Sequence, residues 1–214
     1  MEGEEGMTTK EKILSKLKAN SDSLLKSEHD SDEFRMPDFS LIDPVTYPDK
    51  LEKFRETEQK VSGAKVVDLN SGDNINDLIR TLYPEAKIIG SSLPSIEATV
   101  NPDSLENTGE LMKVDVGVVQ GSFGVAENGC IWIPQTMKER ALCFASENLV
   151  IILNKSDIVN NMHEAYDIIE KNPGYFEPYK FGTFISGPSK TADIESALVY
   201  GAQAARSVAV ILTN

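Results

Sequence analysis

The chain has 214 residues, 40% of them hydrophobic, and a formal net charge of −13, a length for one large α/β domain or a domain plus an appendage, and enough to bury a full core. That acidity argues against nucleic acid or an anionic membrane surface as main partner, since both want clustered Lys and Arg. Two histidines, His29 and His163, exclude a histidine-rich metal centre; two distant cysteines, Cys130 and Cys143, make no CxxC motif and read as reduced, buried thiols of a cytoplasmic protein.

In chain order, Met1 to Gly6 is acidic and reads as disordered, and its charge is unlike a signal peptide. Thr8 or Thr9 caps a helix ending near Ala19, with Ile13, Leu14 and Leu17 on one face. Residues 20–48 are rich in Ser, Asp and Pro and read as an irregular arm that lies over a surface or reaches a second copy in a homodimer. The division expected is therefore a helix and extended arm over residues 1–48, then an α/β domain over residues 49–214.

Asp49 caps a helix carrying Leu51, Phe54 and Val61, and Gly63 stops it before the strand Lys65 to Leu69. Asn74 to Leu82 has Ile75, Leu78, Ile79 and Leu82 at helical spacing and ends before Pro84; Lys87 to Ile89 is the next strand. Ser91 to Gly109 reads as loop. Val114 to Gln120 is a strand, and the turn Gly121 to Gly129 leads into Cys130 to Ile133. Lys138, Glu139 and Arg140 form a solvated face, Leu149 to Leu153 a strand buried on both sides, and Ile158 to Lys171 an amphipathic helix with His163 exposed. The alternation of strands and helices predicts a mostly parallel sheet covered by helices on both faces.

Near the C-terminus, Gly182 to Ser186 reads as a strand broken by Gly187-Pro188. Ser189 or Thr191 then caps a helix whose first turn carries Asp193 and Glu195. Such a turn aims free N–H groups at the carboxyl edge of a sheet, where α/β folds hold anionic ligands. An ordinary strand-to-helix connection would need the same residue types. The chain closes on the strand Val208 to Leu212.

The segment Ser186 to Glu195, with Gly201 and the terminal apolar run, resembles the signature of the lactate-utilisation protein C family, whose members carry the LUD domain. A second match, Gly124-Val125-Ala126-Glu127-Asn128-Gly129, is similar to that family's Ile-Ala-Glu-Thr-Gly segment, with Asn128 in place of Thr. The resemblance implies the fold shared by glucosamine-6-phosphate deaminase, ribose-5-phosphate isomerase and coenzyme A transferases, where glycine-rich turns hold phosphate or coenzyme A and a carboxylate carries much of the chemistry. It implies a subunit or accessory protein of a cytoplasmic system that oxidises L-lactate to pyruvate with iron–sulfur partner proteins, this chain binding no cofactor itself. The chain departs from the family pattern where Gln203-Ala204-Ala205 and Asn148 stand at positions that often hold histidine.

The candidate site follows from the two motifs. Glu127, at a strand-end turn framed by Gly124 and Gly129, is the candidate catalytic carboxylate, its pKa raised by burial; the structural alternative is a carboxylate satisfying local N–H groups. Asn128 either holds a developing oxyanion or caps a turn. Gly187, Pro188, Ser189, Lys190 and Thr191 are candidate ligand contacts, with Asp193 orienting Lys190 or stabilising the helix start. Ala126 to Gly129 also resembles the Ser-Glu-Asn-Gly segment of class I coenzyme A transferases, which makes attack of Glu127 on an acyl thioester an alternative, with sugar-phosphate isomerisation as a third.

Overall fold

The computed structural model describes residues 8, 10, 12–18, 43–193 and 197–214, and for Phe176 the backbone alone. The chain divides into Met1–Asp43 and Pro44–Asn214. In the first unit residues 12–18 are helical, and Ile13, Leu14 and Leu17 are exposed. The arm expected over residues 20–48 lies outside the described residues up to residue 42, as does Glu195.

The second unit is built on a five-stranded parallel sheet. Its strands are β1 (Lys65–Asp68), β2 (Ile89–Gly90), β3 (Val116–Gln120), β6 (Asn148–Asn154) and β11 (Ser207–Thr213), in the order β1-β11-β6-β3-β2. The register runs Ser207 beside Asn148 through Thr213 beside Asn154, and Val116 beside Asn148 through Gln120 beside Ile152. Alternate residues of the same strands feed different cores, as a period of two requires. Leu149, Ile151, Leu153, Val208, Val210 and Leu212 face one way. Val150, Ile152, Ala209 and Ile211 face the other.

Different layers cover the two faces. The helix α2 (Ile75–Leu82), capped by the Asn74 side chain on Asn76 N–H, lays Ile75, Leu78, Ile79 and Leu82 on the second face. The first face receives α1 (Lys50–Glu56), through Phe54, and α3 (Leu142–Ala145), through Leu142. It also receives a second sheet that the sequence did not announce: β4 (Phe123–Val125), β5 (Ile131–Pro134), β7 (Ile158–Val159) and β8 (Gly182–Ile185), in the order β7-β4-β5-β8. In it, β5 runs antiparallel to both β4 and β8. The outer side of this sheet, with Phe123, Val125 and Trp132, takes Ala165 and Ile169 of α4 (Met162–Lys171). The protein is thus α/β with a mostly parallel main sheet, and part of one face is covered by strands rather than helices.

Val61, read from the sequence as part of one helix with Leu51 and Phe54, is exposed, because α1 widens into a π-helical turn over Thr57–Ser62 and rotates that position outward. Ile158, expected within a helix, pairs as part of β7, and the helix starts only where Asn161 accepts from Glu164 N–H.

Candidate functional site

The site is built on the π-helical turn that ends α1. Thr57 Oγ1 lies 2.9 Å from Lys53 O and 3.0 Å from Ala126 O, so a side chain enters the helical ladder where the spacing changes. Gly63 N–H then donates to Glu58 O, five residues back, at 2.8 Å. This widening puts Thr57, Glu58 and Ser62 together on the buried side.

Both sequence motifs converge on that turn. Ser62 Oγ and Ser186 Oγ are 2.6 Å apart, and Ser186 Oγ donates to Asn128 O at 3.0 Å. Lys190 Nζ donates to Ser62 O at 2.7 Å and Val61 O at 3.0 Å, placing its charge on the carbonyl end of the helix, where cations are favoured. Gly129 (φ +73°) and Gly187 (φ +62°) supply the close approaches. A Cβ on Gly187 would come within 2.4 Å of Ser62 O, and one on Gly129 within 3.2 Å of Glu58 Cγ.

Glu58 sits at the centre of this junction, 0% exposed, and neither carboxyl oxygen has a hydrogen-bond partner. Burial pushes its pKa up to about 8; Ser62, the Gly187 N–H and the Lys190 charge act in the opposite direction but do not offset it. The Ser62 and Gly187 groups lie close to the carboxyl without reaching hydrogen-bonding geometry. Glu58 therefore carries its proton at neutral pH. The neighbouring Cys130 thiol is pushed up to about 11, first by burial and then by Glu58 and Glu127, and Cys143 to about 12 by burial, so neither is a thiolate nucleophile.

The residues singled out from the sequence are only partly gathered here. Asn128, Gly129, Gly187 and Lys190 belong to the junction. Gly124 is in β4, in the core, where an added Cβ would meet Leu153 and Phe54 at 2.9 Å. Glu127, expected buried, is exposed, and its Oε2 accepts from Met162 N–H at 3.0 Å in the first turn of α4. Asn128 Oδ1 accepts from Cys130 N–H at 3.0 Å, which closes the turn.

The segment after Gly187 differs most from expectation. Lys190–Thr191 forms a strand, β9, antiparallel to β10 (Val199–Tyr200), where a helix start was expected, because Ser189 is tied on both sides: its N–H donates to Ala205 O and its O accepts from Gly201 N–H. The exposed Asp193 has its N–H 3.4 Å from Thr191 Oγ1, while Lys190 Nζ is held by the two carbonyls. Nor does the segment lie at a carboxyl edge. Ser62 precedes β1 and Ala205 precedes β11, so Gly187 to Lys190 packs at the amino edge of the parallel sheet.

Two clefts flank this edge. One, of about 290 Å³, is lined by Ser186, Gly187, Pro188, Ser189, Gln203 and Phe144 among others. The other, of about 300 Å³, includes Tyr83, Asp115 and Asn148. There Tyr83 OH meets Ser207 Oγ at 3.0 Å, Ser207 Oγ donates to Asn148 Oδ1 at 2.7 Å, and Asn148 Nδ2 donates to Asp115 O at 2.9 Å. Asn148 thus serves as a structural link between β3, β6 and β11.

Sequence reasoning missed Glu58 and Ser62. A signal was present: both fall on the stripe begun by Leu51 and Phe54, so polar residues stand at core-facing positions of an amphipathic helix. No group of three or more His, Cys, Asp or Glu side chains suited to a metal ion occurs among the described residues. Among them, too, no helix is long and apolar enough to cross a membrane.

A parallel core sheet joined to a glycine-framed, mostly antiparallel one, with both motifs meeting at a buried acid, defines the class of α/β domain. The LUD domain model matches residues 95–213, and the chain belongs to the LUD domain family. It is 32% identical over 116 residues to lactate utilization protein C of Shouchella clausii, covering 53% of this chain and 51% of that protein. It is 31% identical over 112 residues to lactate utilization protein C of Bacillus subtilis, covering 51% of this chain and 46% of that one. The matches thus span about half the length of these relatives. A DUF162 family protein from Deinococcus radiodurans has the same fold, with a TM-score of 0.60 at 14% identity over 80% of this chain and 100% of that one.

Proposed function

We propose that the chain is a component of a cytoplasmic lactate-utilisation system, taking part in the oxidation of L-lactate to pyruvate alongside iron–sulfur partner proteins. The observation that carries this reading is the similarity of about half the chain to two proteins named lactate utilization protein C. The junction supports it physically: Asn128, Gly129 and Gly187, from two distant segments, meet at one place with the Lys190 cation beside them, which suits a small anionic ligand. The chain's two cysteines fall short of the four thiolates that hold a typical cluster, so electron transfer is assigned to partners. Deleting the gene from its host is expected to abolish growth on L-lactate while sparing growth on pyruvate, with recovery when the chain is restored. Unchanged growth on L-lactate overturns the reading.

A second reading, attack of Glu127 on an acyl thioester as in coenzyme A transferases, is favoured by one observation, the exposure of that carboxylate at a glycine-framed turn. It requires a glutamyl thioester detectable by mass spectrometry after incubation with acyl-coenzyme A and absent from Glu127→Gln.

A further inference from the structure

Glu58 is the one buried acid among the described residues, and the Ser62, Gly187 and Lys190 groups near it do not offset the cost of its burial. A structural carboxyl in a core ordinarily spends its O–H and its lone pairs on neighbours, since an unpaired buried polar group costs free energy. Both oxygens of Glu58 lack a partner. Yet segments far apart in sequence are shaped around this side chain. The π-helical turn brings it inward, the hairpin glycine Gly129 packs tightly on Glu58 and Ser62, and the loop glycine Gly187 lies so close to Ser62 that a side chain there would collide. π-turns of this kind recur at functional sites.

We infer that Glu58 is the proton-bearing ligand group of this junction, donating its carboxylic acid O–H to the carboxylate of a small 2-hydroxy or 2-oxo acid beside the Lys190 ammonium. The chemistry selects a carboxylate, and the lactate reading narrows it to a 2-hydroxy or 2-oxo acid. A neutral acid offers one strong donor, and its complement is an anionic oxygen, because O–H···O⁻ bonds are about twice as strong as neutral ones. Lys190 rejects cations and favours the same anion. The adjoining cleft of about 290 Å³, which shares Ser186 and Gly187 with the junction, is of a size for such a small molecule. Because Glu58 is sealed, the ligand reaches it only when the segment from Ser186 to Thr191 lifts. That movement breaks the Ser62–Ser186 contact and frees Lys190 from its two carbonyls, so the cation becomes available as the acid is uncovered.

The charged and titratable groups facing Glu58 are Lys190 and Cys130, with Glu127 acting on the same thiol. With the acid titrating near 8, binding is expected to hold steady below that pH and to weaken about tenfold per pH unit above it. The inference rests on the reading that a small oxyacid binds at this junction. Its test is calorimetric titration of the full chain with pyruvate and with L-lactate from about pH 6.5 to about pH 9.5. Glu58→Gln keeps an N–H donor and should bind within a few-fold at neutral pH with the pH dependence gone; Glu58→Leu should bind at least about tenfold more weakly. Infrared difference spectra of the unaltered chain add a readout that needs no variant to fold: the protonated-carboxyl band should shift when pyruvate is added. Absence of binding to either acid, a flat pH profile for the unaltered chain, the same slope in Glu58→Gln, or an unmoved band each overturn the inference. A chain that supports growth on L-lactate but gives any of those results refutes this role alone, and the lactate reading stands.

Discussion

Glu58 makes a thermodynamic demand as well as a chemical one. With its pKa raised from 4.5 to about 8 in the folded chain, the native state holds a proton that the unfolded state releases between those values. Stability must then fall as pH rises through that window and level off above it, by about 5 kcal/mol as an upper bound. Glu58→Gln removes this contribution, so the difference between the two chains in urea unfolding should be small near pH 5 and should grow in favour of the variant up to about pH 8. Equal slopes would mean that the acid is not held neutral. The glycines at the same junction can be separated from ordinary helix stops. Gly187→Ala would drive a Cβ against Ser62 O at 2.4 Å, whereas Gly63, also at positive φ, has no atom within 4 Å of the same position. Gly187→Ala should therefore cost at least about 2 kcal/mol and Gly63→Ala about 1 kcal/mol. A reversed order in urea midpoints would contradict the packing of the loop on the turn.

The elements differ in how much of their environment their own residues encode. Leu149 to Leu153 is apolar without a break, and this alone specifies a strand buried on both faces; Asn74 with its Ile and Leu spacing likewise specifies α2. By contrast, Phe123 to Val125 and Lys190–Thr191 are strands only because another segment pairs with them, and no local property of Lys190-Thr191-Ala192-Asp193 distinguishes a ribbon from a helix start. The same limit hid the acid: Glu58 continues the stripe begun by Leu51 and Phe54, but only the π-turn and the two glycines show that the position is sealed. The entry to α4 shows local and distant information agreeing. Asn161 is 2% exposed, accepts from Glu164 N–H at 3.0 Å and donates to Val45 O at 2.7 Å, so one side chain caps the helix and ties down the start of the domain. Asn161→Ala should cost about 2 kcal/mol, roughly half from the cap and half from the orphaned carbonyl. A loss under about 0.5 kcal/mol in urea unfolding would show that the Val45 tie does not persist.

At the scale of the whole molecule, the question is whether the two sheets of the 44–214 unit can part. Strand β5 decides it, because its side chains alternate between two cores. Ile131 and Ile133 fill the space under the parallel sheet with Leu149, Ile151 and Val210, while Trp132 points outward to Ala165 and Ile169. Undocking the second sheet would expose the first core along with the second, leaving no apolar interface to hold a half-folded form. The chain's single tryptophan thus sits where it reports on the outer layer, while far-UV circular dichroism reports on all layers. The two signals should show coincident midpoints in urea, since a separate fluorescence transition would require Ile131 and Ile133 to leave the shared core at no cost to the parallel sheet. An earlier fluorescence midpoint would mean that the α4 layer is a separate cooperative unit, and that the junction around Glu58, which the β4–β5 hairpin helps to close, can open without unfolding the rest.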